Sequence, residues 1–249
     1  MIRGVLFDIN GTLTDIFTSE EDANVYRTVS NFLDYQGVKV AADEIKKLYF
    51  DINQRQRSDS TEEYPEFDIV ALFREIIRRH ATDYTETVPQ AKLKYLPEIT
   101  AEVFRAASRF VLSPYEDVKK TLDDLRRHYQ LGAVSDGQSA WARAELNSIG
   151  LAAYFKPFIV SGDYGYRKPD ERLFQKALYA MDLKPEEVVY VGNDMFHDIY
   201  GARQMGMRAI FFNSNQGMMN HPETKPDYVI TKFSQLPQAV DALQKVVEK

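Results

Sequence analysis

The sequence predicts an α/β fold, a parallel sheet covered on both faces by helices, with an all-helical stretch inserted near its start. Three observations predict it. From about residue 112 onward, short apolar runs such as Leu131–Val134 and Val188–Val191 alternate with segments of helical periodicity, the order expected of βαβ units. From Ser19 to about Val111 the patterns are helical and no convincing strand interrupts them. The runs Val5-Leu6-Phe7 and Leu131–Val134 deliver Asp8 and Ser135 to strand C-terminal ends, where open sheets of the Rossmann-like kind gather ligands.

Composition bounds the function. The chain has 249 residues, 44% hydrophobic and 27% charged, enough to bury a sizeable core in one large domain or two smaller ones. A formal net charge of -6 argues against a broad nucleic-acid surface. No apolar run approaches the roughly 20 residues needed to span a bilayer. With the first strand read from Ile2 there is no room for a signal peptide, so a cytoplasmic location is expected. Zero cysteines exclude disulfides, thiolate metal sites and Cys nucleophiles. Nothing in the pattern separates a monomer from a homodimer.

Taken in order, Ser19 with Asp22 resembles a capping box opening a helix with the stripe Val25, Val29, Phe32 and Leu33, and Gly37 stops it. A second helix is expected from about Asp43 to Gln56, with Ile45, Leu48, Tyr49 and Ile52 facing inward. The polar stretch RSDSTEEYPE reads as a loop, and further helices are expected near Phe67 to His80 and from Glu98 to Phe110. Ser113-Pro114 reads as an N-cap and first helical position, opening a helix through His128. After the strand ending at Ser135 come a helix from Gln138 to Ile149, a strand at Phe158–Val160 and a helix from Pro169 to Met181. Val188–Val191 is a strand ending at Gly192, and Met195–Met205 a helix stopped by Gly206. Ala209–Phe212 and Tyr228–Ile230 are the last strands, followed by a C-terminal helix with Leu236, Val240, Leu243 and Val247 on one face.

The chemistry gathers at VLFDINGTLTD. Asn10-Gly11-Thr12 follows Asp8 directly, pairing a turn-prone glycine that lets the backbone approach a ligand with a hydroxyl that can bond a phosphate-like oxygen. On these residues alone an ordinary strand-to-turn junction reads equally well. Three further stretches, LGAVSDG around Ser135, YGYRKPD around Lys168, and VGNDMFHDIYGA with Asp194 and Asp198, follow in order. The ordered set of four resembles the haloacid dehalogenase-like superfamily. Its first motif is an Asp, any residue, usually a second Asp, then Gly-Thr after the first strand.

The resemblance implies that residues 1–15 and 112–249 form the α/β core and residues 16–111 a helical cap closing over the site. It makes Asp8 the nucleophile, with Asn10 and Lys168 beside it as catalytic residues. Gly11, Thr12, Ser135, Asp136, Gly137 and Lys168 are then expected to bind substrate phosphate. Mg²⁺ is expected on Asp8, the carbonyl of Asn10 and Asp194, with Asp198 behind them or acting through water. Family members usually carry an acid directly after the fourth motif's Gly, whereas this chain has Asn193. Arg167 reads as a surface or salt-bridge residue, and among the four histidines only His197 lies near the expected site. Among Arg55, Arg57, Arg74, Arg78 and Arg79 in the cap, one or two are in reach of an anionic substrate, the rest being solvated helix faces.

The departure that matters most is Asn10, where the family's phosphatases have an Asp that protonates the leaving group and activates water. An amide cannot serve as that acid or base. Three readings follow, in this order: a Mg²⁺-dependent phosphatase of a small phosphorylated metabolite, slowed by Asn10; a 2-haloacid dehalogenase using Asp8 without a metal; and a non-catalytic protein that kept the fold. Asp15 and cap carboxylates are the possible substitutes for the missing acid.

Overall fold

The computed structural model describes residues 1–247, with side chains to residue 245. Among the described residues one six-stranded sheet has the order β5-β4-β1-β6-β7-β8, every neighbour parallel. Its strands are β1 (Gly4–Phe7), β4 (Gln130–Ser135), β5 (Phe158–Val160), β6 (Val188–Gly192), β7 (Arg208–Phe212) and β8 (Tyr228–Ile230). The pleat of β1 explains why all of it is buried: Val5 and Phe7 face one helix layer and Leu6 the other. Strand β6 divides in the same way, with Val189 and Val191 on one side and Val188 and Tyr190 on the other. Helices α6 (Val118–Leu125) and α10 (Leu236–Val247) cover the first face. Helices α8 (Glu171–Met181) and α9 (Gly201–Gln204) cover the second. The expected face of α10 is buried at Leu236, Val240 and Leu243; the Val247 side chain lies outside the described residues.

Between β2 (Thr14–Thr18) and β3 (Arg109–Pro114) the chain folds into helices α1 (Ala23–Tyr35), α2 (Ala42–Ser58), α3 (Ile69–Arg79), α4 (Asp83–Thr87) and α5 (Gln90–Ser108). They surround a core of their own, in which Tyr49 stacks on Phe104 at 4.7 Å between centroids. This bundle rests on α7 (Ser139–Ser148), whose Trp141 belongs to the bundle's core. Beside it Arg105 of α5 holds Glu145 of α7 at 2.7 and 3.1 Å, both residues buried. No helix among the described residues is long and apolar enough to cross a membrane.

Several expectations need correction. The α1 N-cap is Asp22, which accepts from Asn24 N at 2.8 Å, so Ser19 lies outside the helix. Ser113-Pro114 opens no helix: Pro114 pairs with Thr14 in the antiparallel β2–β3 ribbon, and α6 begins only at Val118. The ribbon went unanticipated because it buries neither face, leaving Phe17, Phe110 and Val111 exposed, so it lacks the apolar alternation that marks a half-buried strand. Strand β3 therefore starts inside the stretch expected to be helical throughout. Helix α5 begins earlier than expected, at Gln90, and α4 was unforeseen. The helix expected at Met195 starts as a π-helical stretch, Met195–Tyr200, before α9. An i→i+5 stretch of this kind often marks a functional site.

Candidate active site

The site lies at the C-terminal ends of β1, β4 and β6, in a polar cleft of about 200 Å³. Asp8, Asn10, Asp136, Arg167, Lys168, Asn193, Asp194, His197 and Asp198 line it, with Gln216 and Gly217 from the loop after β7. At its centre Lys168 Nζ donates to Asp8 Oδ1 at 2.7 Å and to Asp198 Oδ1 at 2.6 Å. All three side chains are almost wholly buried. Burial raises the pKa of Asp8 and of Asp198, and the lysine's charge only partly offsets it. Burial works the other way on Lys168, yet attraction to Asp198 and Asp8 outweighs it and keeps the ammonium protonated. Two acids thus share one cation, and the cluster favours any further positive charge.

Each member is fixed by its strand end. Thr12 Oγ1 reaches both Asp8 Oδ2 at 3.0 Å and Asn193 Oδ1 at 2.9 Å, tying the first strand's turn to the sixth strand's. Gly11 has φ +85 and packs against Asn193, where a Cβ would sit 2.3 Å from its amide nitrogen. Asp198 Oδ2 accepts the amides of Asn193 and Asp194 at 3.1 and 3.0 Å, leaving its other oxygen for Lys168. Its side chain also closes on Gly192, where a Cβ would meet it at 2.4 Å. Tyr190 of β6 touches Lys168 and Asp198, each at 3.3 Å, and donates to Val134 O at 3.2 Å.

Asp194 caps the π-helical stretch, accepting from the amides of Phe196 and His197 and, on its other oxygen, from Met218 N. Although burial opposes it, these bonds and His197 hold its carboxyl well below the usual range. Asp136 accepts Lys168 N at 2.9 Å and faces Arg167 at 3.4 Å, so Arg167 is both the ion-pair residue expected and a wall of the cleft. Asn10 Oδ1 takes a hydrogen bond from Thr14 at 3.2 Å, which leaves its amide as a donor.

Not every expected residue faces the cleft. Ser135 borders a small neighbouring cavity with Asn10, Asp136 and Gly137, and Thr12 is fully enclosed. The Gly137 amide is taken by Ser161 Oγ at 2.9 Å. Asp15 is held by Gln216 Nε2 at 2.7 Å, and Arg55 and Arg57 are committed to Glu75 and Glu66. Tyr190 and the Gln216–Gly217 wall were not anticipated. A tyrosine within the aliphatic run VVYVG is the one available signal, since a buried phenol needs a polar partner.

Among the described residues no three His, Cys, Asp or Glu side chains converge as a ready-made metal centre. The donor set nonetheless suits Mg²⁺. It consists of hard oxygens with carboxylates in excess of ammonium and guanidinium, and this ion usually takes one or two carboxylates and completes its shell with water and phosphate.

Comparisons with known proteins place the chain in a family. A family model described as haloacid dehalogenase-like hydrolase matches residues 5–212. A glyceraldehyde 3-phosphate phosphatase from Methanothermobacter thermautotrophicus is 30% identical over 215 residues, covering 86% of this chain and 87% of that one. A 2-haloacid dehalogenase structure from Pseudomonas syringae superposes with a TM-score of 0.68 at 24% identity, over 97% of this chain and 99% of that one. A phosphatase structure from Thermococcus onnurineus gives 0.61 at 26%, over 96% and 98%.

Proposed function

Since this chain belongs to the haloacid dehalogenase-like hydrolase family, we propose that it hydrolyses the phosphate ester of a small metabolite through an aspartyl-phosphate on Asp8. The observation that carries the reading is Asp8 itself, a buried carboxylate at the end of the central strand, held 2.7 Å from Lys168 Nζ at the head of a polar cleft. A carboxylate nucleophile divides the hydrolysis into two easier steps. Thr12 fixes one Asp8 oxygen and Lys168 the other, so the attacking group is oriented before substrate arrives. Lys168 also supplies charge for the phosphoryl oxygens, and the family's phosphatases, among them the glyceraldehyde 3-phosphate phosphatase relative, make such substrates the expected class.

Mg²⁺ would be held by Asp8 and the main-chain carbonyl of Asn10, with Asp194 lining the same cleft. When bound it neutralises the transferring phosphoryl group. Asp198, its oxygens already engaged, acts by holding Lys168 and the amides of the loop. The segment 16–111 serves as the cap, and Glu62, Glu66 and Phe67 bring its loop onto the core beside the cleft. Asn10 donates a hydrogen bond to the leaving oxygen but gives it no proton, so esters with good leaving groups are the better substrates.

The test is turnover of p-nitrophenyl phosphate with Mg²⁺ and with EDTA. Activity is expected to need the metal, to vanish in Asp8→Ala and to rise by about 10² to 10⁴ in Asn10→Asp, the range general acid catalysis supplies. Silence in the parent and in Asn10→Asp, with halide released from 2-chloropropionate instead, would hand the site to the dehalogenase reading. The lack of an acid at Asn10 is the observation that favours that alternative.

A further inference from the structure

The loop between α2 and α3 is stitched to both loops that frame the cleft. The amide of Glu66 donates to Gly165 O and that of Arg167 to Tyr64 O, each at 2.9 Å. The Gln138 side chain donates to Phe67 O at 2.7 Å and accepts Ile69 N at 3.1 Å. The one buried carboxylate of the stretch so clamped is Glu66, which is 9% exposed. Its Oε1 takes the Phe67 amide at 3.0 Å and Arg57 at 3.3 Å. Its Oε2 accepts from Ser161 Oγ at 2.8 Å, and that oxygen in turn accepts the Gly137 amide at 2.9 Å.

We propose that Glu66 is a positioning residue for the loop Ser135-Asp136-Gly137, acting from the helical bundle through the Ser161 hydroxyl. This rests on the phosphatase reading for the role of that loop. The hydroxyl has one proton and two acceptors in reach, Glu66 and, at 3.2 Å, Gly137 O. A carboxylate is the stronger acceptor and fixes the choice, so the oxygen's lone pair is turned to the Gly137 amide. Gly137 O is thereby left to Gly162 N at 2.9 Å, and both ends of the residue are held. The contact exists only while the bundle sits on the core, because Glu66 is the bundle's residue and Ser161 and Gly137 are the core's. Bundle docking and the order of the loop beside Lys168 are in this way one event.

The full-length chain and its Glu66→Ala, Glu66→Gln and Ser161→Ala variants decide it, with thermal melts to establish folding. Loss of a hydrogen bond to a charged group predicts that Glu66→Ala raises KM for p-nitrophenyl phosphate and the inhibition constant of orthophosphate about tenfold, with a much smaller change in kcat. Glu66→Gln keeps an acceptor and recovers most of this, and Ser161→Ala combined with Glu66→Ala is no worse than either alone. A folded Glu66→Ala with parental constants, or additive effects in the double variant, would overturn the proposal. If Glu66→Ala does not fold, Glu66→Gln and Ser161→Ala carry the same comparison. A parent without turnover removes the phosphatase reading alone. Amide exchange at Gly137, read by NMR without substrate, then still judges Glu66: about tenfold faster exchange in the variant upholds it, and an unchanged rate ends it.

Discussion

Lys168 shows how much of a site can rest on one side chain. Its ammonium serves two buried acids, so a neutral replacement strands both. Lys168→Met is expected to abolish turnover and to cost about 3 to 5 kcal/mol in urea unfolding, the range for breaking a buried pair on one side. The sequence singled out Asp8, Lys168 and Asp198 through the ordered motifs that carry the family resemblance, and in the structure the three side chains meet. It did not reveal Tyr190 at 3.3 Å from Lys168, or Thr12 bridging Asp8 and Asn193, because those contacts join residues far apart in the chain. Nor did it foretell that the Gly137 amide would be spent on Ser161. Motifs name candidate residues; which of them face the cleft and which hydrogen bonds they make depend on how the strands are brought side by side.

Among the elements, α8 carries Lys168 at its approach and is capped by Asp170, which accepts from Arg172 N at 3.0 Å and from its guanidinium at 2.9 and 2.6 Å. The side-chain bond from Arg172 holds the Asp170 carboxyl below its ordinary value despite some burial. The folded chain therefore releases that proton more readily than the unfolded one. The stability this adds is complete above the unfolded value near ~3.9 and is lost as pH falls through the folded one. Asp170→Asn should accordingly flatten the acid side of a plot of melting temperature against pH, while Asp170→Ala loses the cap as well, about 1 kcal/mol at neutral pH. Two strands of the sheet were legible to the residue, Phe158–Val160 and Tyr228–Ile230 both having their expected ends, whereas the starts of α5 and α6 were misplaced although each buries a face. The β2–β3 ribbon was not legible, since Phe17, Phe110 and Val111 point to solvent and Ser113-Pro114 imitates a helix start.

At the scale of the whole molecule, the bundle and the sheet are joined by a buried ion pair as well as by apolar packing. Arg105 and Glu145 lie in contact beneath the ring of Trp141, the guanidinium 5.0 Å from its centroid. Glu145→Ala leaves a buried guanidinium without its carboxylate and is expected to lower unfolding free energy by about 3 to 5 kcal/mol. Because the pair lies between bundle and core, denaturation followed by Trp141 fluorescence should precede that followed by far-ultraviolet circular dichroism in the variant and coincide with it in the parent. That the stretch after Asp15 is mainly helical was legible from its periodicity, whereas its sharing of Trp141 with α7 was not. Thr18 and Arg109 are partners on adjacent antiparallel strands, so the chain leaves the α/β body and re-enters it at almost one point. Such partners stand about 4.5 to 5.5 Å apart at Cα, the span of an ordinary tight turn. The intervening segment therefore leaves and returns through one covalent doorway, and a change in its length need not reroute any strand of the sheet, although its side-chain clamps on the core would have to be remade. The bundle can thus vary while the carboxylate of Asp8, set by the end of β1, stays where it is.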